Sequence, residues 1–219
     1  MKKIVLLILY KVFVNPWLRY IIGVRFENRQ ALKKHKQFII IANHNSHFDT
    51  VAILASLDIK NLINTSPAAA IDYFGKNRLS RFLTTNLLNT ILIFRQKVEG
   101  KPGAIEQLDS HLKLGKSLLL FPEGTRGTAG EISDFKSGIA VLLKKNPGLP
   151  FIPVYLIGFG RVLPKDGNII VPLNCLVRYG EPIVPNSNLS IDEILELTKT
   201  AVLSLRESDD REHNKFAFD

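Results

Sequence analysis

The sequence changes character sharply between residues 38–42, FIIIA, and residues 43–49, NHNSHFD. The first stretch is a short β-branched run bounded by polar residues, which is typical of a buried strand. The second places titratable groups directly after that strand. His44 and Asp49 are five positions apart, so inside one regular helix their side chains would point about 140° away from each other. A turn after His44 that opens a helix near Asp49 would instead let the carboxylate fold back to the imidazole.

A histidine oriented by a carboxylate suits general-base chemistry. The neutral imidazole of His44 can take a proton from a hydroxyl, while Asp49 fixes its tautomer and stabilises the imidazolium that forms. His47 follows His44 by three residues, a spacing that invites a metal-site interpretation. The sequence offers no further cluster of ligating residues to support one, so we expect no metal.

A second polar turn follows another apolar run. Residues 117–120, SLLL, precede residues 121–126, FPEGTR. Gly124 lets the chain turn tightly, while Thr125, Arg126 and the backbone amides of the turn offer hydrogen-bond donors to a phosphate. This turn therefore predicts an anion-binding site.

A third apolar run, residues 90–94, ends at Arg95. In an open α/β sheet, ligands bind beyond the carboxyl ends of the strands. We therefore expect Arg95 and the turn at 121–126 to lie near His44 and Asp49. Such a site would bind an anion and deprotonate an alcohol beside it.

Strands that alternate with helices predict an α/β fold, a single domain with a central mixed sheet flanked by helices. At 219 residues, of which 46% are hydrophobic, the chain can bury one sizeable core. Cys175 is the only cysteine, which excludes an intrachain disulfide and favours a buried structural role. The predicted strands are 38–42, 61–66, 90–94, 117–121, 151–157, 169–171 and 176–179, the last two at the periphery of the sheet. The predicted helices are 50–57, 72–89, 102–114, 137–147 and 190–206, the last opened by a capping box at Ser190 and Glu193.

The formal net charge of +9 is concentrated at the N terminus. Residues 1–36 hold nine lysines and arginines and one acidic residue, Glu27, interleaved with apolar and aromatic side chains. Such a segment is typical of a membrane-surface anchor, because the apolar side chains enter the acyl boundary while the cations meet anionic lipid. We therefore expect the protein to be membrane-associated, peripheral or monotopic, at the cytoplasmic face.

Pro16 would interrupt a continuous helix, so the segment is expected to form two short interfacial helices, at about 2–14 and 17–24. The expected division is membrane-docking helices at residues 1–27 and the α/β domain at residues 28–219.

Three other interpretations of the basic segment are weaker. A spanning helix over 4–24 has the length, but it would bury Lys11 and Arg19 in lipid. A signal peptide would need an apolar run without Lys11, followed by a small-residue cleavage site. Nucleic acid is not the expected partner, because the sequence shows no basic, aromatic strand face or recognition helix.

His44-x4-Asp49 and residues 121–126 together resemble the signature of the glycerophospholipid acyltransferase family, of the 1-acyl-glycerol-3-phosphate acyltransferase type. Both stand in that family's order and at roughly its spacing, and the resemblance covers about residues 38–158. The remaining matches are residues 89–95 to the second motif Gly-x-Ile-x-x-x-Arg, residues 135–138, FKSG, to a Phe-Lys-x-Gly, and residues 152–154 to an apolar-Pro pair.

The resemblance implies an enzyme in which His44 is the catalytic base and Asp49 orients it. In that family the acceptor hydroxyl attacks the thioester of acyl-CoA or acyl-carrier protein, with no acyl-enzyme and no cofactor beyond this co-substrate. The implied acceptor is a lysophospholipid such as 1-acyl-sn-glycerol-3-phosphate. The residues expected to bind substrate are Arg95, Glu123, Gly124, Thr125 and Arg126.

Two departures from the family's pattern bear on the acceptor. Asn89 replaces the glycine of the second motif, and Ala70 stands where many members carry a lysine that helps hold the acceptor phosphate. These departures leave open a lysolipid with another headgroup, an acceptor outside the glycerolipids, or a catalytically idle protein that binds an anionic lipid. The presence of both His44 and Asp49 argues against the idle protein, since a pure binder needs no oriented base.

Overall fold

The computed structural model describes residues 2–46, 48–71, 85, 88–94, 100–125, 127, 132–162 and 175–215. Within these residues, seven strands form one sheet in the order β1-β7-β6-β2-β5-β3-β4. Adjacent strands run parallel, except that β6 and β7 are antiparallel. The predicted mixed sheet is therefore confirmed. The strands are β1 (Arg25–Glu27), β2 (Ile39–Ala42), β3 (Thr65–Ala70), β4 (Ile91–Ile93), β5 (Ser117–Leu120), β6 (Phe151–Ile157) and β7 (Leu176–Tyr179).

Helices cover both faces of the sheet, which is why β2 is apolar at every position. Its side chains alternate between two buried clusters, because successive residues of a strand point to opposite faces. Ile40 packs with the N-terminal segment and α3, whereas Ile39 and Ile41 pack with α5, α6 and α8. The α-helices of the described residues are α1 (Lys2–Ile8), α2 (Asn15–Trp17), α3 (Phe48–Ser56), α4 (Ile59–Asn64), α5 (Ala104–Lys113), α6 (Gly138–Lys145), α7 (Phe159–Val162) and α8 (Ile191–Lys215).

The N-terminal segment is one continuous helix, so the predicted break at Pro16 is wrong. Between α1 and α2 the helix widens into π-helical turns over Leu9–Val14, and it continues in π-helical turns over Leu18–Ile22. Wider turns immediately before a proline change the register of the hydrogen bonds, which accommodates a residue that has no N–H. By length and composition alone, the helix over Lys3–Ile22 could cross a membrane.

One face of this N-terminal helix packs on the α/β domain. Its buried side chains are Leu6, Tyr10, Leu18 and Ile22. The Lys11 ammonium donates to the carbonyl oxygens of Ala55 (3.3 Å) and Leu57, and the Asn15 amide donates to Ala55 at 2.7 Å. These bonds satisfy carbonyl groups that the end of α3 leaves without helical partners. Lys11 and Asn15 are thus bound by the domain.

The region after α3 differs from the prediction. The sequence predicts a strand over 61–66 and a loop over 67–70, whereas the structure has α4 followed by β3. Asp58 caps α4 by accepting the N–H of Asn61 at 2.8 Å. This hydrogen bond stabilises a helix at residues that the apolar pattern alone assigns to a strand. The small residues of β3 form a strand because β5 and β4 lie on either side of it.

Several other elements can be compared with their predictions. The strand predicted over 169–171 and most of the helix predicted over 72–89 lie outside the described residues. The strand β7 is the second strand of the sheet rather than peripheral, since the unpredicted β1 pairs along its outer side. The capping box of α8 is confirmed: Glu193 accepts the N–H of Ser190 at 2.7 Å, and the Ser190 hydroxyl accepts the N–H of Glu193 at 3.2 Å.

Asn89, which replaces the glycine of the second motif, has a left-handed backbone with φ of 53°. Glycine adopts this conformation freely, and asparagine tolerates it better than most residues. The Asn89 amide also donates to the Thr65 carbonyl at 3.1 Å and to the Ser66 hydroxyl at 3.2 Å. These contacts lie at the amino ends of β3 and β4, whereas His44 follows the carboxyl end of β2. Asn89 therefore has a left-handed backbone at the amino ends of these strands, the end opposite to that of His44.

We expect Asn89→Gly and Asn89→Val to differ in their effect on stability. Both lose the side-chain hydrogen bonds, at a cost of about 1–2 kcal/mol. Valine adds the strain of a β-branched residue at positive φ, for a total of about 2–4 kcal/mol. Urea unfolding of both variants measures the difference. Equal destabilisation would show that the left-handed backbone at this position carries no strain.

Candidate active site

The carboxylate of Asp49 folds back to the imidazole of His44. Asp49 lies in the first turn of α3, and its Oδ2 is 2.9 Å from Nδ1 of His44. The same oxygen accepts the backbone N–H groups of Asn45 and Ser46, each at 2.7 Å. The five-residue spacing predicts this arrangement, and the tight turn between β2 and α3 produces it.

The hydrogen bonds indicate which nitrogen of His44 is basic. The Asp49 side chain is fully buried, and its Oδ2 accepts two backbone N–H groups. The same oxygen is therefore an acceptor toward His44, so Nδ1 of His44 carries the hydrogen and Nε2 carries the lone pair. The His44 side chain is 19% exposed, so the imidazole is accessible from solvent. The pair can therefore take up a proton from a bound hydroxyl.

The turn after β5 supports His44 from a neighbouring strand. The Phe121 ring stacks on the imidazole, with ring centroids 4.1 Å apart and planes 19° apart. Oε1 of Glu123 accepts the backbone N–H of His44 at 2.8 Å, and Oε2 accepts the N–H of Ser133 at 2.9 Å. Gly127 donates its N–H to the carbonyl of His44 at 3.0 Å. Both the ring and the backbone of His44 are thus held by this second turn.

Glu123 is almost fully buried. Burial raises the pKa of Glu123 above its ordinary value of 4.5, although the two backbone donors act in the opposite direction. Both carboxylate oxygens contact protein backbone, so the geometry gives Glu123 a positioning role toward His44. Its predicted role in substrate binding stays a prediction.

Asn43 is a positioning residue to which the sequence analysis assigned no role. Its buried side chain accepts the N–H of Leu156 at 2.7 Å and donates to the Leu156 carbonyl at 3.1 Å. The last backbone pair between β2 and β6 is Ala42 with Val154, so the amide extends the pairing of these strands by one step. The signal in the sequence is an amide directly between a buried strand and a histidine.

The Lys136 side chain lies against the predicted anion-binding turn, although Lys136 is not among the five residues expected to bind substrate. Gly124 has a left-handed backbone with φ of 73°, and a Cβ at that position would lie 2.7 Å from the Lys136 ammonium. The N–H of Lys136 donates to the Pro122 carbonyl at 2.9 Å. Glycine therefore leaves room for a lysine side chain across the turn, beside the exposed Thr125.

Three residues singled out by the sequence, His47, Arg95 and Arg126, lie outside the described residues. Among the residues that the structure does describe, no group of three or more His, Cys, Asp and Glu side chains could hold a metal ion. Cys175 is buried, and burial together with the Asp49 charge raises its pKa to about 12. Its thiol is therefore protonated at neutral pH, which agrees with a structural role.

Comparisons with known proteins agree with the resemblance seen in the sequence. Residues 23–157, more than half of the chain, match the family model described as Acyltransferase. A probable 1-acyl-sn-glycerol-3-phosphate acyltransferase of Mycoplasma pneumoniae is 28% identical over 144 residues, covering 64% of this chain and 52% of that protein. The 1-acyl-sn-glycerol-3-phosphate acyltransferase of Pseudomonas aeruginosa is 28% identical over 170 residues, covering 72% of this chain and 62% of that protein. The chain spans about half the length of the first of these curated relatives.

The fold also has a counterpart among solved structures. The crystal structure of the 1-acyl-sn-glycerophosphate (LPA) acyltransferase PlsC from Thermotoga maritima superposes with a TM-score of 0.72 at 23% sequence identity. The match covers 95% of this chain and 81% of that one. At this identity the likeness establishes the fold, including the mixed sheet and its flanking helices.

The raised pKa of Glu123 predicts a pH dependence of stability. The folded protein binds this proton more tightly than the unfolded chain, so stability falls as pH rises from about 4.5 toward the folded pKa. Glu123→Gln has no such proton and is the matched control. Unfolding free energies measured across this range should show wild type losing stability relative to the variant as pH rises. A wild type that gains relative stability would show that the backbone donors outweigh burial.

Proposed function

This chain belongs to the acyltransferase family, and we propose that it is a membrane-associated enzyme that transfers a fatty acyl group from an acyl thioester to the hydroxyl of a lysophospholipid. The proposed acceptor class includes 1-acyl-sn-glycerol-3-phosphate, which the names of the relatives specify. The proposed donor is acyl-CoA or acyl-carrier protein. The observation that carries the proposal is the 2.9 Å contact between His44 and the buried carboxylate of Asp49.

In the proposed reaction, Nε2 of His44 removes the proton of the acceptor hydroxyl as its oxygen attacks the thioester carbonyl carbon. Asp49 stabilises the imidazolium that forms. The carbon–sulfur bond then breaks, and the leaving thiolate takes the proton from the imidazolium. The products are an ester and a free thiol, and no acyl-enzyme forms. The stacked Phe121 ring and Glu123 keep the imidazole in position during both proton transfers.

The acceptor phosphate is proposed to bind at the turn around Gly124. The Thr125 hydroxyl and the Lys136 ammonium can donate to a phosphate oxygen there, and Arg95 and Arg126 are proposed as further ligands. Ala70 is buried at the end of β3 and carries no charge. We place Lys136 among the phosphate ligands because it supplies a cation that position 70 lacks.

The N-terminal helix is proposed to dock the enzyme on the cytoplasmic face of the membrane. Trp17 lies against Phe48 at the start of α3, with ring centroids 5.8 Å apart. The face directed away from the domain exposes apolar side chains together with the cations Lys3 and Arg19, and a surface of this kind binds the acyl boundary of a bilayer. Its exposed apolar residues are Ile4, Val5, Ile8, Val12, Phe13, Tyr20 and Ile21.

We expect His44→Ala to lower acyl transfer about 10³-fold or more, because the variant has no base. Asp49→Asn should also lower it, since an asparagine oxygen in the place of Oδ2 would still accept the three hydrogen bonds but carries no negative charge to stabilise the imidazolium. The measurement is transfer of radiolabelled acyl groups from acyl-CoA, or from acyl-carrier protein, to a panel of lysophospholipids in detergent.

The control for the histidine substitution is His35→Ala, which lies before β2 at the other end of the strand. We expect this variant to retain wild-type transfer. An acceptor that is acylated by wild type and by His35→Ala, but not by His44→Ala, identifies both the reaction and the headgroup. Transfer that persists in His44→Ala would refute the proposed base.

We expect Phe13→Asp to weaken membrane docking. Phe13 is 63% exposed, and losing the insertion of its ring should lower the partition into neutral phosphatidylcholine vesicles about tenfold or more. Leu114→Asp, at the end of α5 on the other face of the sheet, removes an apolar side chain that is 75% exposed and serves as the control. Vesicle sedimentation measures both variants. Equal losses would contradict docking through the N-terminal helix.

A further inference from the structure

A second candidate binding site lies at the carboxyl end of α3, away from His44 at its amino end. It is a cavity of about 490 Å³, and we call it the α3-end cavity. Its lining includes one residue of the N-terminal helix, part of the segment from Phe26 to Lys33, and the last residue of α3 with the two that follow it. The charged residues among them are Lys11, Arg29, Lys33 and Asp58.

These charges favour an anion. Three cations face one carboxylate, and Asp58 already accepts the N–H of Asn61 as the cap of α4. The carbonyl groups at the end of a helix would ordinarily repel an anion. Here the Lys11 ammonium binds the carbonyls of Ala55 and Leu57, which removes that obstacle.

Arg29 is held in an orientation suited to a phosphate. Its guanidinium lies over the Phe26 ring, 5.6 Å from the centroid, and donates to the Ser56 carbonyl at 3.4 Å. A guanidinium has five N–H donors in a planar fork that matches the oxygens of a phosphate. Lys33 is exposed, so its flexible ammonium can approach the same ligand.

The cavity also adjoins the apolar surface of the N-terminal helix. Lys11 lines the cavity, while its neighbour Val12 is 59% exposed. An anion in the cavity would therefore lie close to the apolar surface that is proposed to enter the bilayer, at about the depth of the lipid headgroups. Burial and the charge of Arg29 lower the pKa of Lys11, and a bound anion would relieve this repulsion.

We propose that the α3-end cavity binds a phosphate group, carried by an acidic phospholipid or by a soluble phosphate ester, through Arg29 and Lys33 with Lys11 behind them. The proposal does not depend on acyl transfer, because the site uses none of the residues around His44.

The first test is binding to phosphatidylcholine vesicles with and without phosphatidylglycerol. Arg29→Gln/Lys33→Gln removes two charges from the cavity. The matched control, Lys60→Gln/Arg206→Gln, removes one lysine and one arginine outside it. Each charge close to an acidic surface contributes about fivefold to vesicle affinity. The affinity of the cavity variant for the acidic vesicles should therefore fall roughly 25-fold, and that of the control at most about threefold. Both variants should bind the neutral vesicles as wild type does.

The second test distinguishes the source of the phosphate. Calorimetric titration with inorganic phosphate and with glycerol phosphate detects a soluble ligand. It is run on Lys136→Gln, which weakens the proposed acceptor-phosphate site, with and without the cavity substitutions, and these substitutions should abolish the remaining heat. Binding confined to the acidic vesicles assigns the site to a lipid headgroup. Equal losses by both double variants on acidic vesicles, together with phosphate heat that the cavity substitutions leave unchanged, would overturn the proposal.

Thermal unfolding checks that the double variant is folded. If loss of the Arg29 contacts prevents folding, Lys33→Gln alone replaces it, since this exposed side chain can change without disturbing the core. The affinity of Lys33→Gln for the acidic vesicles should be about fivefold lower than that of Lys60→Gln. No difference between the two would equally overturn the proposal.

Discussion

The site depends on a single buried oxygen atom, Oδ2 of Asp49. It accepts two backbone N–H groups from the turn after β2 and lies within hydrogen-bonding distance of the His44 imidazole. The two backbone hydrogen bonds form a tight turn, so α3 begins shortly after β2 ends. The contact with the imidazole fixes the tautomer of His44. Because a buried carboxylate with fewer donors would be costly, the turn and the imidazole orientation stabilise each other. A change to either would disturb both.

The position of β2 in the sheet connects this turn to the rest of the site. The strands β2 and β5 are adjacent and parallel, so the turns that follow them lie side by side. Glu123 uses this proximity by accepting the N–H of His44 with one oxygen and that of Ser133 with the other. The raised pKa of Glu123 shows that burial at this position is unfavourable for the ionised carboxylate, and the two backbone bonds compensate only in part. The geometry of the candidate site thus follows from the order of the strands.

The sequence predicts those parts of the molecule whose cause is local. The apolar run of β2, the five-residue spacing to Asp49 and the capping box of α8 each have a signal within a few residues. The sequence marks Asn43 only as an amide between a strand and a histidine, and the positioning roles of Asn43 and Glu123 depend on partners far along the chain, Leu156 and His44 respectively. The strand β3 and the three-residue β1 are strands only because their neighbours pair with them. Pro16 predicts a break that π-helical turns remove.

The N-terminal helix and the site are linked through α3. Trp17 contacts Phe48 at the amino end of α3, next to Asp49, while Lys11 and Asn15 bind the carbonyl groups at its carboxyl end. In the sequence, Lys11 and Arg19 count against a helix that spans the membrane, since an unpaired cation in lipid is costly. In the structure, the end of α3 binds Lys11, while Arg19 is exposed beside the apolar residues of the outer face. The contacts that make the helix suitable for a membrane surface therefore also hold α3, and with it Asp49, in place.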